Sequence, residues 1–345
     1  GFDEKRYVGQ TAENKFSNSP SRLIFGMKRL LSSSDNSKML KTFVNVNLPF
    51  VSSKKGKDYI CFETSTEDYF LHPVQLLVAL IVELKELAQS QMECYFELAV
   101  ISVPDTFNSF QRRAVVDAGI IAGFRNIVLA NDGTLSLLHF SSHLKTLKEE
   151  KNVLIVDFGY GFLTLTCGTV SRLKVDVKCS HGADYGGVDI IESLVSLCLE
   201  ELERNSVSYN SVDIHSLRRQ FSDVSHILKG EYEHIEAKLI NNDLEKWLTI
   251  PKDDFYKDLS KRVKLIIQNS LKFIYAHLSE GEKITKVILQ GAYSSSPLVM
   301  RVLEEIFNPV IIEKSDNSIS GVLSGAAILS SRYNGQNIAA VNEII

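Results

Sequence analysis

The sequence predicts an α/β protein built as two lobes. Three observations carry this expectation. The chain has 345 residues, enough for about two domains of ~150 residues each. Residues 97–149 alternate strand and helix patterns, which implies a parallel or mixed sheet. Residues 153–179 then read as a β-meander, and long amphipathic helices follow it.

The elements can be taken in order. Thr11–Leu31 reads as helical, interrupted at Asn18-Ser19-Pro20, which offers a cap with Pro early in a second helix. Thr42–Val46 and Lys57–Thr64 read as short strands around the turn Lys54-Lys55-Gly56-Lys57. Pro73 opens a helix in which Leu77, Leu80, Ile81, Leu84 and Leu87 share one face of a 3.6-residue period. Glu97–Val103 is predicted as strand, and Ser109–Ala122 as helix with Gly123 at its C-terminal cap. Asn126–Ala130 follows as strand and Asn131–Glu149 as helix. The charged stretch Lys145–Lys151 reads as an exposed connection into the second lobe.

That lobe opens with strands Val153–Asp157, Leu163–Gly168 and Arg172–Cys179. Helices are predicted over Asp189–Arg204 and near Asp213–Lys229, then a hairpin of Glu231–Ile240 and Leu244–Ile250 on Asn241-Asn242. Asp254–Leu278 is a long helix with Leu259, Val263, Ile266, Leu271 and Ile274 inward. Strand Lys286–Leu289 and helices near Ser295–Ile306 and Ser318–Arg332 complete the order.

Composition excludes several classes. At 44% hydrophobic and 23% charged residues, the chain has apolar surface enough to offset ordering entropy, so it is not disordered. A net charge of -4 argues against a phosphate-coating nucleic-acid binder. Cys61, Cys94, Cys167, Cys179 and Cys198 are odd in number and widely spaced, which fits a reducing compartment and a cytoplasmic location, with the endoplasmic reticulum lumen as the alternative. The strongest apolar run, Leu76–Val82, is far shorter than the ~20 residues of a membrane span.

Three segments carry a signature. Val103-Pro104-Asp105-Thr106-Phe107-Asn108 with Gln111-Arg112 leads to Asp117-Ala118-Gly119 and Ala122-Gly123. Asn152–Asp157 runs into Phe158-Gly159-Tyr160-Gly161. Val287-Ile288-Leu289-Gln290-Gly291-Ala292 precedes Pro297 and Ser324-Gly325-Ala326-Ala327. Ile24–Leu30 and Tyr185-Gly186-Gly187-Val188-Asp189 add weaker matches. In order and spacing these resemble the nucleotide-binding domain of the heat-shock protein 70 family, which implies the actin-like ATPase fold, two lobes around a nucleotide cleft. Pro104–Asn108 is similar to the chaperone branch rather than to filament-forming actin relatives.

The resemblance implies boundaries. Residues 1–148 are expected to form the first lobe, lacking its N-terminal phosphate hairpin. Residues 149–335 form the second, with a peripheral helix-hairpin subdomain near 213–278, and 336–345 begin an interdomain linker. It also implies ATP/ADP with Mg2+. Backbone N–H groups freed by glycine would crowd the phosphates, and a positioned water would attack. Lys28 aligns with the lysine that orients that water, Asp132 with a catalytic glutamate, and Asp157 with a metal-side aspartate. Asp132 and Asp157 would hold Mg2+ through water. Asn131-Asp132 reads equally as a helix cap, and Lys28 as one of a surface Lys-Arg pair. Gly159, Tyr160, Gly161, Gly186, Gly187, Gly291, Ala292 and Ser295 occupy nucleotide-binding positions. Pro104 and Arg112 match residues that couple nucleotide state to the next domain, or else are a strand-ending Pro and a solvated helix Arg.

Departures concentrate on those positions. Tyr160 replaces a Gly, Phe162 a Thr and Thr164 an Asp. Phe162 is expected in the core. Gly182 replaces a metal-side Asp, with Asp184 two residues away. Ser222, Ser225 and His226 replace a Glu and two basic residues at the ribose and base, Ser295 replaces a stacking Arg, and Ile319 an Asp. His139 and His143 are spaced i, i+4 but lack a third zinc ligand. Ser294-Ser295-Ser296 reads as a helix start. The expectation is a divergent chaperone domain, impaired as an ATPase and acting as a regulatory co-chaperone. The competing expectation is an ordinary ATP-hydrolysing chaperone seen as a fragment. Implied partners are unfolded clients bound by a separate peptide-binding domain, J-domain or exchange-factor co-chaperones, or a true chaperone.

Overall fold

The computed structural model describes residues 6–31, 51–54, 57–63, 68–144, 151–172, 174–222, 234–241, 244–294, 296–314, 320–333 and 340–342. The N-terminal stretch is interrupted at Ser19-Pro20 as expected, and it is broken a second time at Gly26, which was not expected. α1 spans Gly9–Lys15, a 3-10 turn spans Pro20–Arg22, and α2 spans Met27–Leu30. Pro20 is the cause of the first break, since it has no N–H for a continuing ladder. Gly26, at φ 68°, sets the second.

β1 (Val51–Lys54), β2 (Lys57–Glu63) and β3 (Asp68–Leu71) form an antiparallel sheet. The strand expected at Thr42–Val46 lies outside the described residues. α3 (Pro73–Met92) begins as expected, with His72 Nδ1 accepting the Val74 N–H at 3.3 Å. Its inward face is Leu76, Leu77 and Ile81, whereas Leu84 and Leu87 are more than half exposed. The periodicity is real, but further along the helix it is Lys85, whose Nζ donates to Gly123 O at 2.6 Å, that meets the neighbouring helix end, while Leu84 and Leu87 stay exposed.

β4 (Leu98–Val103), α4 (Ser109–Ile121), β5 (Asn126–Asn131) and α5 (Asp132–His143) form the expected alternation, and β4 and β5 pair in parallel. The Asn108-x-x-Gln111 spacing is a reciprocal cap. Asn108 Oδ1 accepts the Gln111 N–H at 3.1 Å, and Gln111 Oε1 accepts the Asn108 N–H at 2.9 Å. Gly123 takes φ 85° just past the end of α4. Residues 145–150, expected as a connection, lie outside the described residues.

The meander appears as β6 (Lys151–Phe158), β7 (Leu163–Ser171) and β8 (Lys174–Ala183). α6 (Gly187–Arg204), α7 (Ser211–Gln220), β9 (His234–Asn241), β10 (Leu244–Pro251), α8 (Lys252–His277), β11 (Lys286–Gln290), α9 (Pro297–Phe307), β12 (Ile311–Lys314), α10 (Gly321–Tyr333) and β13 (Ala340–Asn342) follow. Six strands make one mixed sheet in the order β12-β11-β6-β7-β8-β13. β13 pairs in parallel with β8 through Ala340 and Lys174, where a linker was expected to begin.

The largest core packs α6, α8 and α9 on this sheet, around Leu154, Val156, Leu165, Leu194, Val263 and Val299. On α8 Val263, Ile267 and Ile274 are fully buried, and Ile266, expected inward, packs only partly buried against the same core. α5 and α10 meet closely, because Gly325 has no Cβ to meet the Leu135 backbone. Ser296 caps α9 through the Val299 N–H at 3.2 Å, so the serine run is the helix start that was expected. The His143 ring bonds its neighbour's backbone, His139 O, at 2.9 Å. No described helix is long and apolar enough to cross a membrane.

Candidate functional site

Parallel strands deliver their carboxyl ends to one side of a sheet, and ligand sites form there. Val103 of β4 pairs with Asn131 of β5, so Pro104 and Asp132 leave their strands side by side. Gln290 of β11 pairs with Asp157 of β6, and Thr164 of β7 lies opposite Asp157. Both ends face a cleft of about 470 Å³ lined by Lys28, Pro104, Asp132, Asp157, Thr164 and the turn Gly159–Phe162.

The structure therefore brings Lys28, Asp132, Asp157, Gly159, Tyr160, Gly161 and Pro104 together, from positions more than 130 residues apart. Lys28 Nζ stands 3.9 Å from Asp132 Oδ2. Asp132 Oδ1 is buried with no hydrogen-bond partner. Asp132 begins α5, but it does not owe its place to a side-chain cap: Asn131 makes none, and its Oδ1 accepts from Arg112 Nη2 at 2.6 Å. Arg112 also donates from Nε to Phe107 O at 3.0 Å, tying the loop after Pro104 to the end of β5. It is a bridge rather than a solvated helix arginine.

Burial pushes Asp157 up to about 8, helped by the charges of Asp132 and Asp105 and opposed by Lys28. Asp105 is pushed up to about 6 by burial and by Asp132, against hydrogen bonds from Gly133, Thr166 and Ser180. Crowded carboxylates, one with an orphaned oxygen, are the donor chemistry of a hydrated cation. Among the described residues, no three acidic, histidine or cysteine side chains are grouped to hold a metal ion.

The glycine turn is engaged with the protein itself. Gly159 N–H donates to Phe162 O at 3.0 Å, Gly187 N–H to Gly159 O at 3.0 Å, and Gly186 N–H to Asp189 Oδ2 at 2.7 Å. Phe162 is partly buried: it packs edge-on to Phe107 with centroids 5.8 Å apart, against the core as expected, and its other side lines the cleft. Gly291, at φ 87°, lies so close to Asp157 that a Cβ would come 2.5 Å from Phe158 O. Gly182 is required by close packing of β7 on β8, since a Cβ would come 2.5 Å from Leu163 O. Asp184 accepts from Thr106 Oγ1 at 3.4 Å and does not line the cleft. Ala292 is exposed, and Ser295, Ser225, His226 and Ile319 lie outside the described residues.

Three residues that sequence reasoning missed complete the arrangement. Asp105 lies beneath the cleft, and its signal was an acid beside Pro104 at a strand end. Arg29, 3% exposed, donates to Gly161 O at 2.6 Å and to Asp189 Oδ1 at 3.0 Å. Tyr293 lays its ring against Gly187 and donates from its hydroxyl to Ser222 O at 3.4 Å. Its signal was a ring directly after Gly291-Ala292, where the resembling motif has serine.

A family model described as Hsp70 protein matches residues 2–345. The chain belongs to the Hsp70 family. It is 25% identical over 350 residues to a heat shock 70 kDa protein of Trichophyton rubrum, covering 99% of this chain and 53% of that protein. It is 26% identical over 346 residues to a ribosome-associated molecular chaperone of Eremothecium gossypii, covering 97% of this chain and 56% of that protein. A heat shock 70 kDa protein of Neurospora crassa is 24% identical over 339 residues, covering 96% and 52%. The chain thus spans about half the length of these curated relatives. The mixed sheet and helices of this Hsp70-family chain are those of the actin-like ATPase fold, and membership implies an ATP/ADP and Mg2+ site.

Proposed function

We propose that this chain is the nucleotide-binding domain of an Hsp70-like chaperone impaired in ATP hydrolysis, and that it serves as a regulatory co-chaperone. The observation that carries this reading is Tyr293. Its ring lies on Gly187 and its hydroxyl reaches Ser222, and both positions align with residues that surround the nucleotide in the family. A side chain filling that slot does not fit a nucleoside. Tyr160 adds a half-exposed ring to the phosphate turn. The N–H groups of Gly159 and Gly187 are already bonded within the protein. Losing a single donor to a developing charge costs about 3 kcal/mol of transition-state stabilisation, so several such losses support a domain with little turnover.

What remains is a site that senses charge. Lys28 faces Asp132 at 3.9 Å, and Asp157, raised to about 8, keeps its proton at neutral pH, whereas Asp105, raised to about 6, has mostly lost its own. These residues would hold a hydrated cation through water and orient a water beside it. The scaffold that surrounds them, from Pro104 through Arg112 to Asn131, supports partner-facing work without chemistry. Clients, J-domain proteins and exchange factors are proposed partners of the whole protein.

A second reading, an ordinary ATPase, is favoured by the convergence of Lys28, Asp132 and Asp157 in one cleft. Calorimetric titration with Mg-ATP, followed by a turnover assay, separates the two. Absent or weak binding, with stimulated nucleotide release from a hydrolysing Hsp70, is the expected result. Tight Mg-dependent binding with turnover lost in Lys28→Ala would sink the proposal.

A further inference from the structure

Cys167 and Cys179 stand directly opposite each other on the antiparallel strands β7 and β8. The ladder is irregular at this point. Cys167 pairs with Cys179, but the next residue, Gly168, pairs with Val177, so Lys178 is the extra residue of a bulge. A bulge re-aims the side chains that follow it. Val175 and Val177 face the core formed with Leu137 and Leu138 of α5, and strict alternation would leave Cys179 on that same side. Cys179 instead packs against the core on the α8 side, where Cys167 is fully buried. Two contacts with α8 fix this direction. Cys179 Sγ donates to Ile274 O at 3.9 Å, and His181 Nδ1 lies 3.0 Å from Ser270 Oγ. Both thiols therefore leave one rung of the sheet toward one helix.

That geometry suits a bond between them. Opposed residues of an antiparallel pair have Cα atoms roughly 4.5–5.5 Å apart, and a disulfide accepts roughly 4.4–6.8 Å. Their Cβ atoms start roughly 4.5–5.5 Å apart and must come to about 4 Å. A shift of about 1 Å closes this gap, at a bulge where the ladder is already broken.

We propose that Cys167 and Cys179 are a redox-modifiable pair that a hydroperoxide converts to a disulfide. Cys179 is partly buried and Cys167 fully so, so the oxidant meets Cys179 first. With hydrogen peroxide, the Cys179 sulfur takes one oxygen as the O–O bond breaks, giving a sulfenic acid and one water. The Cys167 sulfur then attacks the Cys179 sulfur. The S–S bond forms, the S–O bond breaks, and a second water carries away the hydroxyl and the Cys167 proton. The two thiols lose two electrons, and the peroxide gains them. Burial pushes Cys167 up to about 12 and raises Cys179, with Lys178 opposing in both. Little thiolate is present at neutral pH, so the reaction is slow, and alignment rather than acidity selects this pair. The inference stands whether or not the cleft hydrolyses ATP.

The test treats the folded 345-residue chain with hydrogen peroxide for hours, in a Cys94→Ser background that removes the exposed thiol. Remaining thiols are then alkylated in denaturant and the chain is digested for mass spectrometry. Trypsin cuts at Arg172, Lys174 and Lys178, and a glutamate-specific protease cuts at Glu192. These cuts put Cys167, Cys179 and Cys198 on separate peptides. The expected product joins the Cys167 peptide to the Cys179 peptide through a bond that dithiothreitol releases. In Cys179→Ser, a mild change at a partly buried position, oxidation of Cys167 should fall at least about tenfold, because the buried thiol has no other route to the oxidant. The proposal is overturned if Cys167 is recovered alkylated after peroxide. It is equally overturned if Cys167 is joined to Cys198 instead, or if it oxidises as readily in Cys179→Ser.

Discussion

Asp105 accepts the backbone N–H of Gly133 at 3.2 Å, which ties the loop after β4 to the first turn of α5 beside Asp132. Thr166 Oγ1 donates to the other oxygen of Asp105 at 3.1 Å. One buried carboxyl thus joins β4, α5 and β7 below the cleft, and it does so within reach of the charges of Asp132 and Asp157.

Stability should fall as pH rises through the neutral range. Asp105 and Asp157 are raised to about 6 and about 8 in the fold, above the ~3.9 of an unfolded aspartate. Between those values the native state binds more protons than the unfolded one, so this contribution is full at low pH and is lost on going up. Asp157→Asn removes the larger part. Its melting temperature should exceed that of wild type at pH 8, and its profile between pH 4 and 8 should be flatter. Each tenfold difference in proton affinity between the folded and unfolded carboxyl is worth about 1.4 kcal/mol. Parallel profiles for the two proteins would refute the assignment.

Gly291→Ala should destabilise by roughly 1–3 kcal/mol, the scale of a strained backbone position. The residue sits at φ 87°, and an added Cβ would meet Phe158 O at 2.5 Å and the Asp157 carboxylate. Urea unfolding measures this directly, and a neutral result would mean that the turn opens easily.

The buried pair of Arg218 and Glu192 should show strong coupling. Their side chains are 7% and 11% exposed. Arg218→Met alone should cost about 3–5 kcal/mol by stranding a buried carboxylate. The double variant with Glu192→Leu should recover most of that loss in a double-mutant cycle. Additive single effects would show that the pair does not act as a unit.

Tyr293→Ser should open the slot between Gly187 and Ser222. Mg-ADP affinity, read by calorimetry, is expected to rise at least about tenfold over wild type, equivalent to about 1.4 kcal/mol. No gain in a variant that remains folded would show that Tyr293 is not what excludes the nucleoside.

Most of the architecture was legible because local rules agree with one another. The Asn108-x-x-Gln111 cap, Gly123 past α4 and the meander of β6 to β8 each follow from neighbours within a few residues. The shared apolar face of α3 was read from its period, and the structure buries it at Leu77 and Ile81 while Leu84 and Leu87 stay exposed. Periodicity reports which residues share a helix face, not where the partner surface ends. The site was legible in part. Lys28, Asp132, Asp157 and the Gly159–Gly161 turn line one cleft, because strand ends carry them there. Phe162 was expected in the core from its chemistry, and it packs against the core with one side on the cleft.

Sequence alone determined the family, most of the element order and the residues at the mouth of the cleft, since motif spacing and helix and strand periods are short-range properties; the short strands β1, β3, β12 and β13 carry too few residues for a period and were not legible in it. Only the tertiary structure decided how those residues are used. Tyr293 reaches Ser222 across 71 positions, and Arg29 reaches Asp189 across 160. No local pattern encodes such pairs, because they exist only once the sheet has brought distant strand ends within hydrogen-bond range. The same closure buries Asp105 and Asp157 among like charges. Burial and mutual repulsion, rather than residue type, are what raise their pKa values.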